Sequence, residues 1–235
     1  MRLPHYCKAD LKMCLKEMSF RCLKFPSELR PFAAWVPSFI EERTQVLLRD
    51  AIRKPPSRVD VEGLLYGLQV DDPTCPYDVV KVKIGRTTHI NRHYNEHLNT
   101  CPSLRYTILG YYPPRASPES ATSPFALQTD LGVAHMKPTD TVPFSHRLEY
   151  LAHLVLADVA ANAPYLCTAW PTSDSAGLRL GVIQERSPCT DCKHVHEEVF
   201  VFRRFPGNLR GKEWELVIRP IIMKLALHVE FYSAL

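Results

Sequence analysis

The sequence predicts a small α/β protein of the α+β type, in which short strands alternate with helices around one core. Three observations carry this. Val80, Val82 and Ile84 alternate with Lys81 and Lys83, the period of a half-buried strand, and the run ends at Gly85. Leu148, Leu151, Ala152, Val155 and Val159 recur at helical spacing over 145–160. Cys189-Thr-Asp-Cys192, followed by His194 and His196, has the spacing of a metal knuckle.

A chain of 235 residues can bury one good core, or one core with an appended helical segment. With 20 Pro and 9 Gly, its turns are built from proline more than from glycine. The net charge of +4 permits a nucleic acid or another acidic partner without demanding one. The start, Met1-Arg2-Leu3-Pro4-His5, has no apolar run of signal-peptide length, and no window reaches membrane-span length. A soluble, intracellular protein with no membrane partner is expected. Eight Cys, scattered except for the 189/192 pair, fit buried thiols and a metal in a reducing compartment.

Taken in order, residues 1–35 mix Cys, Lys and Met without a clear period and read as a weakly helical or partly ordered arm. Residues 37–53 read as a helix with Phe39, Ile40, Val46, Leu47, Leu48 and Ile52 on its apolar face, stopped by Lys54-Pro55-Pro56-Ser57. Residues 63–70 form an apolar strand, 71–76 a loop, and 81–85 the cationic strand. Residues 91–99 are a short helix and 104–112 a third strand, with Tyr106, Ile108 and Leu109 as core candidates. Residues 113–145, rich in Pro, Ser, Ala and Thr, form a long loop or insertion. The helix 145–160 follows, then an irregular stretch to 186, the knuckle, and a strand at 198–202. Residues 212–231 are an amphipathic helix interrupted near Pro220. The expected organisation is an arm over 1–58, a domain over 59–205 and a C-terminal helix over 206–235 that packs on it. No internal repeat is present.

Two constellations carry chemistry. Tyr66, Lys83, Arg92 and Glu149 can converge on one cleft suited to phosphodiester hydrolysis. There a carboxylate holds a divalent metal, an arginine neutralises transition-state charge, and a tyrosine or lysine handles the proton of attacking water. Each residue also has a plainer use, Tyr66 as a sheet aromatic and Arg92 and Glu149 as solvated helix charges. In the second constellation Cys189 and Cys192 are joined by His196, with His153 and Cys101 as further candidates, so that four of the five would hold a structural zinc. Disulfide or redox use is the alternative, and the neighbouring histidines favour metal. His89, His93 and His97 share one helix face at i, i+4, i+8 and read as a solvated or nucleic-acid-facing stripe. With no P-loop and no G-x-G-x-x-G after a strand, a nucleotide cofactor is not expected.

The order Gly63-Leu-Leu-Tyr66, Val82-Lys-Ile-Gly-Arg-Thr-Thr88, Arg92 with Cys101, His146-Arg-Leu-Glu149-Tyr-Leu-Ala-His153 and Cys189-x-x-Cys192-x-x-x-His196 resembles the GIY-YIG endonuclease superfamily. The closer resemblance is to its branch known as the DNA-binding domain of a coliphage T-five open reading frame, common in fungal proteins. It covers about residues 60–202. It implies a three-stranded antiparallel sheet flanked by helices, with the active face across the first two strands. It also implies Tyr66 as the first-motif tyrosine, Lys83-Ile84-Gly85 as the second motif, Arg92 as the helix arginine and Glu149 as the carboxylate for magnesium or manganese. Lys83 stands where the second motif has tyrosine.

The leading expectation is a DNA-binding protein, with possible metal-dependent endonuclease activity. Lys81, Lys83, Arg86, Thr87 and Arg92 would make backbone contacts, and a nuclear setting is expected. The rival is a catalytically inactive, zinc-stapled protein-interaction module, whose terminal helix, with Ile218, Ile221, Ile222, Leu225 and Leu227, would dock a protein partner, although covering the domain's own core is the plainer use of that face.

Overall fold

A computed structural model describes residues 36–113, 141–171 and 187–233. The expected arm at 1–35 and most of the expected insertion at 113–145 lie outside the described residues. Four strands, β1 (Leu64–Asp71), β2 (Val79–Thr87), β3 (Arg105–Tyr112) and β4 (Val199–Arg203), form one antiparallel sheet in the order β3-β1-β2-β4. The sheet thus has one strand more than the three that the resemblance implies. The strand read from the sequence after the knuckle adds to the free edge of β2, where Val82 faces Phe200 and Val80 faces Phe202.

Strand alternation divides the side chains between two faces. Leu65, Val80, Val82, Ile84, Phe200 and Phe202 point to the larger core. This side is covered by α3 (Ser145–Asn162), backed by α1 (Glu42–Arg53) and α4 (Arg219–Ser233). Leu64, Tyr66, Leu68 and Val70 point the other way, under α2 (Ile90–Thr100) and the knuckle, with Ile90, Cys101 and Tyr106.

Helix α1 begins at Glu42, later than Pro37-Ser38 suggests, because the Asp158 carboxylate of α3 accepts the Glu41 N–H at 3.0 Å. Along it Leu48, Ala51 and Ile52 face inward, and Val46 and Leu47, read as part of the apolar face, are about half exposed. At its other end the buried Arg147 guanidinium donates to the carbonyls of Ile52 and Lys54, groups a helix C-terminus leaves open. Val142, inside the expected insertion, is fully buried and bridges to Gly63. Pro220 does not interrupt the last helix. A π-helical turn, Trp214–Ile218, runs directly into α4, and its i→i+5 bonds, such as Arg219 N–H to the Trp214 carbonyl, accommodate the proline that follows.

His228 on α4 is buried, and burial together with the nearby Arg147 charge holds its pKa down, to about 4. An unfolded imidazole titrates near 6.5, so as pH falls from about 6.5 to 4 the unfolded chain takes up a proton that the folded chain refuses. Stability is therefore lost on acidification through this window. Thermal melts against pH should show the loss, and His228→Leu should flatten the profile across this window. An unchanged profile in that variant would assign the acid sensitivity elsewhere.

Candidate active face and metal centre

Tyr66 lies opposite Gly85 in the β1–β2 ladder. A Cβ at residue 85 would sit 2.5 Å from the Tyr66 hydroxyl oxygen and 2.7 Å from Cζ, so only glycine lets the phenol cross the neighbouring strand. The hydroxyl meets His97 Nε2 at 2.9 Å. His93 lies one turn earlier on α2, its ring 5.7 Å from His97 and 6.2 Å from Tyr66. Two of the three histidines read as a surface stripe thus face the tyrosine. Burial, then the Lys83 charge, lowers the His97 pKa to about 4, so the imidazole is neutral. Burial, reinforced by Glu149, Glu198 and Glu96, raises the Tyr66 phenol and keeps it protonated. The contact therefore joins a neutral phenol to a neutral imidazole.

Around this pair the cations are matched with carboxylates. Buried Lys83 is ion-paired with Glu198 at the entry to β4. Burial alone would raise the Glu198 carboxyl, but the Lys83 ammonium outweighs it and the pKa falls. Arg86 Nε lies 3.1 Å from Glu149, Lys81 Nζ 2.6 Å from Asp72, and Arg92 Nε 3.4 Å from Glu96. Arg92 sits on the exposed side of α2 and Arg86 on the face turned to α3. Glu149 is set by Asp60, whose carboxylate accepts the N–H groups of His146 and Arg147, both at 2.9 Å, and so caps the start of α3. Thr87 is buried, and its hydroxyl accepts the His89 N–H at 2.9 Å, which sets the entry to α2. Glu198 and the inward pair His93/His97 are the residues that sequence reasoning did not place here.

On the same side of the sheet Cys101, Cys189, Cys192 and His196 bring their ligand atoms within 4.8 Å of one another. Cys101 Sγ is 3.7 Å from Cys189 Sγ, and His196 Nε2 is 3.5 Å from the sulfurs of Cys101 and Cys192. A tetrahedral zinc with bonds of about 2.0–2.3 Å requires ligand edges of about 3.5–3.8 Å, so the donor set fits such an ion. Burial raises the Cys189 thiol, but the N–H groups of Cys192 and Asp191 outweigh it and bring the pKa to about 6, favouring thiolate. His153 is not in this group. It lies on α3 beneath the sheet, with Nε2 2.9 Å from the Ile84 carbonyl and its ring edge-on to Phe200. One helical turn from Glu149 puts it on the α3 side, and β2 separates it from the knuckle.

The sequence profile of the T5orf172 domain matches residues 63–218, which spans the whole sheet, the cysteine–histidine group and the π-helical turn. The chain belongs to the T5orf172 domain family. Membership marks it as a DNA-binding or nuclease-like module, and the Cys3His group can hold a metal such as zinc. Neither a curated protein nor a solved structure matches the chain. In this T5orf172 domain the two features are mechanically joined. Cys101 ends the helix that carries His93 and His97, its N–H bonded to the His97 carbonyl at 3.0 Å. His196 lies two residues before Glu198, the partner of Lys83. Asp191 of the knuckle accepts the Ser103 N–H at 3.0 Å and its hydroxyl at 2.6 Å, tying the knuckle to the α2–β3 connection. No helix among the described residues is long and apolar enough to cross a membrane.

Proposed function

We propose that this domain binds DNA and hydrolyses its phosphodiester bonds in the manner of a GIY-YIG endonuclease. The observation that carries the reading is Tyr66, laid across Gly85 and held on neutral His97, with Lys83–Glu198 on its side of the sheet and Arg86–Glu149 on the α3 side, from which the Glu149 charge still raises the phenol. Glu149 would hold magnesium or manganese jointly with a DNA phosphate and water, a donor set that these hard cations accept. The ion, when bound, supplies Lewis-acid stabilisation of the phosphoryl oxygens. Tyr66 orients the attacking water through its hydroxyl, and the hydrogen bond to neutral His97 fixes the phenol. With Glu149 engaged in this way, Arg86 would be released from its ion pair to neutralise charge on a phosphate oxygen. Arg92, at the exposed rim, makes a further backbone contact by exchanging Glu96 for phosphate. Zinc is the metal proposed for the Cys3His group, since soft thiolates with one imidazole select it. The setting proposed with this activity is nuclear.

Of the five apolar residues on which the rival docking reading rests, Ile218, Ile221, Ile222 and Leu225 are buried in the domain's own core, and Leu227 is half-buried.

The test is nicking of supercoiled plasmid by wild type and Glu149→Ala, with and without magnesium or manganese. Metal-dependent nicking by wild type is expected, with a drop of about 100-fold or more in the variant. Salt-sensitive DNA retention without nicking would leave a binding domain and end the hydrolytic reading.

A further inference from the structure

At the end of the sheet away from Tyr66 an open cleft of about 760 Å³ is lined by Tyr77, Lys81, Arg105, Arg204 and Arg210, among others. A second cleft, of about 460 Å³, runs between the sheet and the knuckle past Lys83. The two share Val70, Asp72, Pro73, Lys81 and Ser103, so they adjoin at the Lys81–Asp72 ion pair and together line a path from the Lys83 side of the candidate active face to the sheet end.

Tyr77 stands at the far end, 82% exposed, on the loop before β2. The Arg210 guanidinium lies over one face of its ring, 3.6 Å from the centroid, and donates to the Tyr77 carbonyl. The stack fixes an aromatic plane that would otherwise swing freely and leaves most of the ring to solvent. Charge points the same way. Lys81, Lys83, Arg86 and Arg92 each have a carboxylate partner, whereas Arg105 and Arg210 have none among the described residues. These two therefore meet an incoming phosphate without first giving up an ion pair.

We propose that the groove takes single-stranded DNA, with a base stacked on Tyr77 and phosphates on Arg105 and Arg210. A preorganised aromatic plane beside guanidiniums that no carboxylate neutralises is the arrangement that holds an unstacked base and its backbone. A blunt duplex keeps its bases stacked and offers Tyr77 nothing. The preferred substrate is then a fork or frayed end, its duplex on the candidate active face and its free arm in the groove. This rests on the DNA-binding reading above.

The test is fluorescence anisotropy with a blunt duplex, a short single strand and a fork, using wild type, Tyr77→Ala, Tyr77→Phe and Arg105→Ala. Wild type should bind the fork more tightly than the duplex. Tyr77→Ala should weaken fork and single-strand binding roughly 5- to 100-fold and leave the duplex unchanged, while Tyr77→Phe retains affinity. Arg105→Ala should reduce the salt dependence of single-strand binding by about 0.7 in the logarithmic slope. Equal affinity for fork and duplex, or a Tyr77→Ala protein that melts earlier yet binds the fork like wild type, overturns this inference alone. A wild-type chain that retains no DNA of any form overturns it together with the reading on which it rests.

Discussion

Chelating the metal from the Cys3His group is expected to release α2 and the knuckle from the sheet while the α1–α3–α4 side stays folded. That side packs fully buried Leu148, Leu151, Val155, Val159, Val217 and Ile222 with the inner face of the sheet and needs no metal. The other side holds only a small apolar cluster, Leu64, Tyr66, Leu68, Val70, Ile90, Cys101 and Tyr106. Its cover is an eleven-residue helix and the irregular knuckle. Neither is long enough to be stable in water without packing. Structural zinc in such a site contributes about 10–16 kcal/mol of apparent binding free energy at neutral pH, much of it realised as folding. Losing it exceeds what the small cluster can supply. Amide exchange before and after chelation reads this directly. Protection should fall in 90–101 and 187–198 and persist in 145–162. Cys189→Ser should reproduce the pattern without chelator. DNA retention should fall with it, because Cys101 ends the helix bearing His97, and His196 leads into the partner of Lys83. Unchanged exchange in both experiments would reduce the four residues to a packed thiol cluster.

The elements were legible where a local period or a breaker spoke for them. The 145–160 stripe became α3, and the Val80–Ile84 alternation became the centre of β2. Cys101, Cys189, Cys192 and His196 could be nominated because thiol spacing has few other uses. His153 could not be placed, since helical spacing says which residues share a face and not which side of the sheet the helix covers. The inward turn of His93 and His97 was hidden for the same reason. A three-histidine stripe reads as polar surface until Tyr66 is known to lie beneath it. The carboxylate partners of Lys83 and Arg86 are 115 and 63 residues away, pairings that no window of sequence shows.

Trp214→Ala should cost about 3–5 kcal/mol, roughly a fifth or more of the stability of an ordinary domain. Gly67 of β1 and Gly110 of β3 face each other across the ladder, at the position where the register shifts. Two glycines side by side leave a flat window in the sheet, and the buried Trp214 indole from the π-helical turn fills it. A Cβ on Gly67 would lie 2.2 Å from indole Cζ3, and one on Gly110 would lie 2.5 Å from Nε1. Neither can be accommodated while the ring stays. Gly67→Ala should therefore expel the indole and cost a large part of what Trp214→Ala costs. The two losses have one cause, so the double variant should be far less destabilised than their sum, with a coupling of roughly 1–3 kcal/mol. Additive losses in denaturant titrations would show that the glycines serve the backbone alone. The stack also bears on the candidate active face. Tyr66 directly precedes Gly67 and projects to the opposite side of the sheet, so the indole fixes the stretch of β1 from which the phenol reaches His97. Trp214→Ala should accordingly weaken DNA retention even at temperatures where the domain remains folded.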